Sequence, residues 1–133
     1  MVTLGATIIA RGPAGERRIA ANAFFAGIYE TVLSPEELLV AVELPVAPTH
    51  STHFIHEFAR RNGDYAIVGL AAQAIVRGEQ FANIRLGFFA VGDRPLLAKS
   101  ASRLIDVAIT PAILSEASSL LGEELDPPED QQA

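Results

Sequence analysis

The chain contains no cysteine among its 133 residues, and this absence excludes several kinds of chemistry. Without cysteine there is no disulfide, no thiolate ligand for zinc or an iron–sulfur cluster, and no thiol nucleophile. The sequence also does not open with a basic segment followed by an apolar one, so we expect no export signal. These features fit a reducing compartment, and we expect a cytoplasmic location.

Long apolar runs and clusters of basic residues are missing as well. The longest nearly apolar run, Ala66–Val76, is interrupted by Gln73 and is much shorter than the roughly 20 residues that span a bilayer. Ten basic and 16 acidic residues give a net charge of −6. An acidic chain without a basic stripe is a poor ligand for nucleic acid. We therefore predict neither membrane insertion nor nucleic-acid binding.

Half of the residues are hydrophobic, and the first part of the chain has the patterns of β-structure. Thr7–Ala20 reads as a hairpin around the turn cluster Gly12–Gly15. Ser34–Glu37 offers a cap, a proline and an acid, which favours one short helical turn. Leu38–Leu44 reads as a strand. The prolines of Pro45–Thr52 end it and indicate a linker between two domains.

The second part predicts strands followed by helices. Phe54–Ala59, Ile67–Arg77 and Ile84–Val91 read as three strands. Helical spacing follows Pro95, and a second helix would begin at Thr110-Pro111 and stop at Gly122. The predicted fold class is α+β: an antiparallel sheet of about three strands with two helices on one face, preceded by a β-hairpin segment. The apolar residues of the first helix would be Leu96, Leu97, Ala101, Leu104 and Ile105.

Three segments together carry a family resemblance. Phe24–Leu39 reads Phe-Phe-x-Gly-x-Tyr-Glu-Thr-x-Leu-x-Pro-x-Glu-Leu-Leu. In Phe58–Leu70, a double-arginine turn with glycine and aspartate leads into an apolar stretch of small residues. Phe88–Pro95 reads Phe-Phe-Ala-Val-Gly-Asp-Arg-Pro. In this order they resemble the flavoprotein (medium) subunits of molybdenum hydroxylases, the carbon monoxide dehydrogenase and xanthine dehydrogenase family.

The resemblance implies both an organisation and a chemistry. Residues 1–47 would be a remnant of the FAD-binding domain, and residues 48–133 a domain like the C-terminal domain of the CO dehydrogenase flavoprotein. In the complete enzyme, electrons would pass from a molybdenum-cofactor large subunit through a 2Fe-2S small subunit to FAD and an external acceptor. Because the flavin supplies the redox chemistry, we expect no catalytic side chain in this chain and no activity from it alone.

The residues that the resemblance assigns to the flavin site are Arg60, Arg61, Gly63, Asp64 and Tyr65. Glycine permits a positive φ that brings backbone N–H groups close to a ligand. Arginine supplies cationic donors beside a flavin that gains negative charge on reduction, and tyrosine offers an aromatic face. Without the resemblance, the same residues read as an ordinary hairpin turn with solvated arginines.

The family holds the FAD phosphates with glycine-rich loops, and this sequence contains no Gly-Gly pair. We therefore expect the chain alone to bind FAD weakly or not at all. An alternative is a non-catalytic α+β interaction or dimerisation module that has lost FAD binding. Apolar strands without a cover would then be satisfied by self-association, which predicts a homo-oligomer.

Other groups of residues give weaker indications of a functional site. His50, His53 and His56 have a spacing that would share a helix face and could hold Zn²⁺. They follow prolines and enter a predicted strand, on which His53 and His56 point to opposite faces, so we predict no metal site. No serine lies in a Gly-x-Ser-x-Gly elbow. The adjacent acids Glu36 and Glu37 are typical of a helix N-terminus.

Overall fold

Among the residues that the computed structural model describes, the main elements are two antiparallel sheets, one from each half of the chain, a separate two-stranded ladder and one α-helix. The structure describes residues 1–61, 63–125 and 127. In the first half, a short 3-10 helix spans Ala21–Ala23, and the strands β1 to β5 are Thr7–Gly12, Gly15–Ala20, Phe25–Gly27, Glu30–Thr31 and Leu38–Glu43. In the second half, β6 to β9 are Ser51–Phe58, Val68–Arg77, Gln80–Phe89 and Leu96–Leu97, and a 3-10 helix (Ser100–Leu104) and helix α1 (Pro111–Glu124) follow.

The first sheet has the order β2-β1-β5. The predicted hairpin is confirmed, since Thr7 pairs with Ala20 and the ladder closes at Gly12 and Gly15. Side chains alternate across a strand, and Ile8 and Ile19 lie on the buried face, where they pack with Phe24. The strands β3 and β4 form a separate small ladder.

A hydrogen-bonded turn, not a helix, occupies Ser34–Glu37. The Glu37 N–H donates to the Ser34 carbonyl at 2.9 Å, and the Ser34 N–H donates to Glu37 Oε2 at 2.7 Å. One half of a capping box is therefore present, the hydrogen bond from the Ser34 N–H to the Glu37 carboxylate. The turn stops after one hydrogen bond because the next residue, Leu38, already pairs with Arg11 in the sheet.

The second sheet has the order β6-β7-β8-β9, and all neighbours are antiparallel. The three predicted strands are its three long ones. Phe88 faces the helices and packs with Leu70 and Leu121, while Phe89 lies on the opposite face above Gly69. The α+β prediction is confirmed by this arrangement of an antiparallel sheet with helical cover on one face.

The first of the two predicted helices is wrong. Leu96 and Leu97 form the short edge strand β9 opposite Phe88 and Gly87, and only Ser100–Leu104 is helical, as a 3-10 helix. The Ala98 N–H donates to the Leu86 carbonyl at 2.8 Å. Pairing with the free edge of β8 holds this segment extended and overrides its helical spacing.

The second predicted helix is confirmed at its start and runs longer than predicted. Thr110 Oγ1 accepts from the Ile113 N–H at 3.3 Å, and Pro111 occupies the first turn. The helix continues to Glu124, two residues past Gly122. Within the described residues, no helix is both long and apolar enough to cross a bilayer.

Candidate functional site

The double-arginine segment forms the turn between β6 and β7. The Ile67 N–H donates to the Phe58 carbonyl at 2.8 Å and closes the turn at its base. Near the tip, the Asp64 N–H donates to the Arg61 carbonyl at 3.1 Å. Gly63 has a φ of 83°, which is the positive φ that the sequence predicted at this position.

Asp64 orders this turn from within. Its Oδ1 accepts from the Tyr65 N–H at 3.0 Å, and its Oδ2 lies 3.6 Å from Arg61 Nη2. Both carboxylate oxygens therefore have partners inside the turn. This makes Asp64 a positioning residue for the turn, since its carboxylate is already used by the backbone and by Arg61.

The side chains of Arg61 and Tyr65 extend into solvent. The Arg61 side chain is 85% exposed and Tyr65 is 94% exposed, and Arg60 is exposed as well. A Cβ on Gly63 would meet no atom within 4 Å. An uncovered aromatic ring, a cationic guanidinium and an open stretch of backbone can together take a flat ligand that carries negative charge.

A second loop leaves the sheet at the same end as the double-arginine turn. Phe58 pairs with Val68 and Gly69 pairs with Phe89, so the chain after β8 emerges beside this turn. Ala90 has a φ of 62°, which is uncommon for a residue other than glycine. Arg94 Nε lies 3.9 Å from Asp93 Oδ1, so this end of the sheet carries a further arginine.

A cavity of about 230 Å³ lies between the first residues of the chain and the second sheet and extends to Phe89 and Pro95. Its wall is mainly apolar and includes none of the five predicted site residues. The predicted site is therefore an exposed turn and not a wall of this cavity. The lining residues include Met1, Val2, Thr3, Phe25, Ile55 and Phe89.

The contact between the two sheets was not predicted from the sequence. Arg85 Nη2 donates to the Val2 carbonyl at 3.0 Å, and its buried Nε has no partner within the described part of the chain. A Cβ on Gly87 would lie 2.1 Å from Thr3 Oγ1, so only glycine lets Thr3 lie this close to β8. The sequence feature that could have indicated this contact was Arg85, an arginine within the largely apolar strand β8.

A second unpredicted feature is the ion pair of Arg17 with Glu37. Arg17 Nε and Nη2 donate to Glu37 Oε1 and Oε2 at 2.6 and 2.8 Å, and Nη2 also donates to the Val32 carbonyl. The Arg17 hydrogen bond, with that from the Ser34 N–H, lowers the pKa of Glu37 from 4.5 to about 2. The sequence presented Arg17 only as part of an exposed hairpin arm.

The histidines lie as the strand prediction placed them. His53 pairs with Gln73 and His56 with Leu70, so the two rings are on opposite faces of β6. His53 Nε2 is 3.0 Å from Gln73 Nε2, and His56 stacks on Phe54 at a centroid distance of 6.1 Å. Among the described residues, no three His, Cys, Asp or Glu side chains form a group that could hold a metal ion.

Comparison with known proteins gives a consistent picture. Residues 1–47 match the FAD binding domain in molybdopterin dehydrogenase. The chain is 33% identical over 121 residues to the carbon monoxide dehydrogenase medium chain of Afipia carboxidovorans, covering 90% of this chain and 42% of the relative. It is 28% identical over 131 residues to the glyceraldehyde dehydrogenase medium chain of Sulfolobus acidocaldarius, covering 98% and 46%. The chain thus spans less than half the length of these relatives.

Solved structures have the same fold. Carbon monoxide dehydrogenase from Oligotropha carboxidovorans superposes with a TM-score of 0.93 at 30% identity, covering 100% of this chain and 47% of that one. Quinoline 2-oxidoreductase from Pseudomonas putida 86 superposes with a TM-score of 0.88 at 35% identity, covering 98% and 46%. The family model of the CO dehydrogenase flavoprotein C-terminal domain matches residues 53–133, more than half of the chain. The chain therefore belongs to the family of CO dehydrogenase flavoprotein C-terminal domains.

Proposed function

We propose that this chain is part of the FAD-binding medium subunit of a molybdenum-hydroxylase-type oxidoreductase, and that its double-arginine turn lines the flavin site. The observation that carries the proposal is the succession of two family matches, an FAD-binding domain over residues 1–47 and a flavoprotein C-terminal domain over residues 53–133. We place the boundary between the two domains at residues 47 and 48.

FAD supplies the redox chemistry when it is bound. The exposed Tyr65 ring would contact the flat ring system, and Arg60 and Arg61 would place positive charge beside it. Gly63 gives the ligand access to the backbone, and Asp64 holds the turn in shape through Arg61 and the Tyr65 N–H. No acid, base or nucleophile of this chain takes part in the reaction.

The partners and the location follow from the same assignment. The subunit would dock with a molybdenum-cofactor large subunit and a 2Fe-2S small subunit and receive electrons through the clusters. The absence of cysteine from the chain fits a reducing compartment, and we place the enzyme in the cytoplasm. Pull-down of the two other subunits from a soluble cell fraction tests both assignments.

The flavin assignment is tested in a chimera. This chain replaces its matched segment in the carbon monoxide dehydrogenase medium chain of Afipia carboxidovorans, and FAD affinity is measured by quenching of flavin fluorescence. The contacts of Tyr65 and Arg61 are lost in Tyr65→Ala and Arg61→Gln, so each should weaken FAD binding. The double variant should weaken it by about tenfold or more, since a base–aromatic stack alone contributes about 1–3 kcal/mol.

Arg77→Gln is the matched control, because Arg77 ends β7 at the opposite end of the sheet and is also exposed. It should leave FAD affinity unchanged. The chain by itself should bind FAD weakly or not at all in the same assay. Equal FAD affinity of the chimera and its Arg61→Gln and Tyr65→Ala variants would remove the turn from the flavin site.

A further inference from the structure

The strand β6 forms a free edge of the second sheet. It is the outermost strand in the order β6-β7-β8-β9, it is eight residues long, and its pairing with β7 has no bulge. Seven of its eight residues are exposed. A long, regular and exposed edge presents unpaired N–H and C=O groups and is a template for another strand.

The exposed side chains of β6 include large apolar ones. Ile55 is 68% exposed and Phe54 is 58% exposed. Proteins protect such edges with prolines, lysines or bulges, and β6 contains none of these. The other edge strands of the two larger sheets are shorter: β2 and β5 have six residues each, β9 has two, and the pairing of β5 with β1 is interrupted by a register shift. Strand addition is therefore favoured at β6.

The sequence of β6 is complementary to itself in one register. In an antiparallel pair, residues directly opposite each other have their side chains on the same face of the sheet. When a twofold axis perpendicular to the sheet relates two identical strands, this requires that one residue lies opposite its own copy, beside the axis. With the axis at Ile55, His53 faces Glu57 of the second copy, and the same pair occurs twice. On the other face, Phe54 faces His56 of the second copy, again twice.

In this register, the paired side chains are ones that still have hydrogen-bonding capacity in the single chain. Glu57 is paired across β7 with Gly69, which has no side chain, and it makes no ion pair within the described residues. His53 uses Nε2 toward Gln73 and keeps its other ring nitrogen. Polar hydrogen-bonded and aromatic cross-strand pairs both stabilise the pairing of two strands. An axis at Phe54 would instead oppose His53 to Ile55 and lose both polar pairs.

We infer that β6 is a self-association surface, to which a second copy of this chain adds its own β6 in antiparallel orientation with the twofold axis at Ile55. The second sheet of one copy and the second sheet of the other then form one continuous sheet of eight strands across the dimer. The interaction is weak and reversible because a single strand pair lies at the small end of interface sizes. It does not depend on the flavin or on the other subunits.

Single cysteines test the register, because the natural chain has none. Ile55→Cys brings two thiols opposite each other at the axis, and a short bifunctional thiol reagent should convert it to a covalent dimer. Phe54→Cys faces His56 and should cross-link more slowly. Val76→Cys, on the partly exposed end of β7, is the control and should stay monomeric. Equal cross-linking of all three variants would overturn the register.

Substitutions that change the charge at positions 53 and 57 test the pairing of His53 with Glu57 independently. The measurement is sedimentation velocity over a wide concentration range. His53→Glu places two carboxylates opposite one another twice, and Glu57→Lys removes the acceptor opposite the His53 ring twice, so each should raise the dimer Kd by about tenfold. The double variant His53→Glu/Glu57→Lys should restore dimerisation. Glu79→Lys, the same charge change in the β7–β8 turn, should behave as the natural chain. A natural chain that sediments as a monomer throughout, or a dimer indifferent to these changes, would overturn the proposal.

Discussion

At the scale of single residues, Glu37 joins the turn before β5 to the hairpin strand β2. Its carboxylate accepts two hydrogen bonds from Arg17 on β2 and one from the Ser34 N–H, and its side chain is only 13% exposed. It thereby fixes the turn that leads into β5 against the neighbouring hairpin. Hydrogen bonds to a carboxylate favour its ionised form, which explains why the pKa of Glu37 falls to about 2.

This pKa makes the stability of the chain depend on pH in a defined range. The folded pKa of Glu37 lies below its unfolded value of 4.5, so the contribution to the free energy of unfolding is complete above that pH and is lost as the pH falls toward 2. Glu37→Gln should lower the urea midpoint at neutral pH, and its difference from the natural chain should shrink across this range. Glu36→Gln is the control and should lower the midpoint little. A difference that stays constant with pH would contradict the assignment.

At the scale of elements, sequence patterns predicted a strand or helix correctly where residues close in sequence determine it. The Gly12–Gly15 turn predicted the β1–β2 hairpin, and the Thr110-Pro111 cap predicted the start of α1. The segment at Leu96 and Leu97 was misread because its extended form depends on the edge of β8, which is distant in sequence. Gly63 and Asp64 could be placed in the double-arginine turn beforehand because turn chemistry is local.

The end of α1 is another element that depends on a distant contact. Glu124 Oε1 accepts from the Lys99 N–H at 2.6 Å, and Oε2 accepts from the Ser100 N–H at 3.0 Å. Burial opposes the charge, but these two hydrogen bonds outweigh it and the pKa of Glu124 is lowered. The carboxylate therefore caps the start of the 3-10 helix and attaches α1 to it.

Removing this carboxylate should loosen both elements without unfolding the sheet. In Glu124→Ala, the amides of Lys99 and Ser100 lose their acceptor, and they should exchange hydrogen faster than in the natural chain. The amides of β7 should keep their protection. Glu123→Ala removes a neighbouring exposed carboxylate and is the control, measured by hydrogen exchange with mass spectrometry. The same exchange at Lys99 and Ser100 in both variants would show that the cap is dispensable.

At the scale of the whole molecule, the first residues of the chain lie against the second sheet and connect the two halves of the chain. Arg85 holds the Val2 carbonyl, and Gly5, which has a φ of 68°, leaves room for the guanidinium beside the backbone. Thr3 lies against Gly87 and its hydroxyl donates to the Ala71 carbonyl at 3.4 Å. This contact could not be predicted from local sequence patterns, because neither its glycine nor its threonine belongs to one.

A double-mutant cycle tests whether the close approach of Thr3 to Gly87 holds the first residues of the chain against the second sheet. A Cβ at position 87 would overlap Thr3 Oγ1 at 2.1 Å, so Gly87→Ala should lower the free energy of unfolding by about 1–3 kcal/mol, the usual cost of overpacking. Thr3→Ala removes the overlapping hydroxyl, so the double variant should be more stable than the sum of the single effects predicts. Gly92→Ala, where a Cβ meets no atom within 4 Å, should change stability little. Strictly additive effects in urea denaturation would mean that the first residues of the chain separate from the second sheet at little cost, and that other contacts hold the two halves of the chain together.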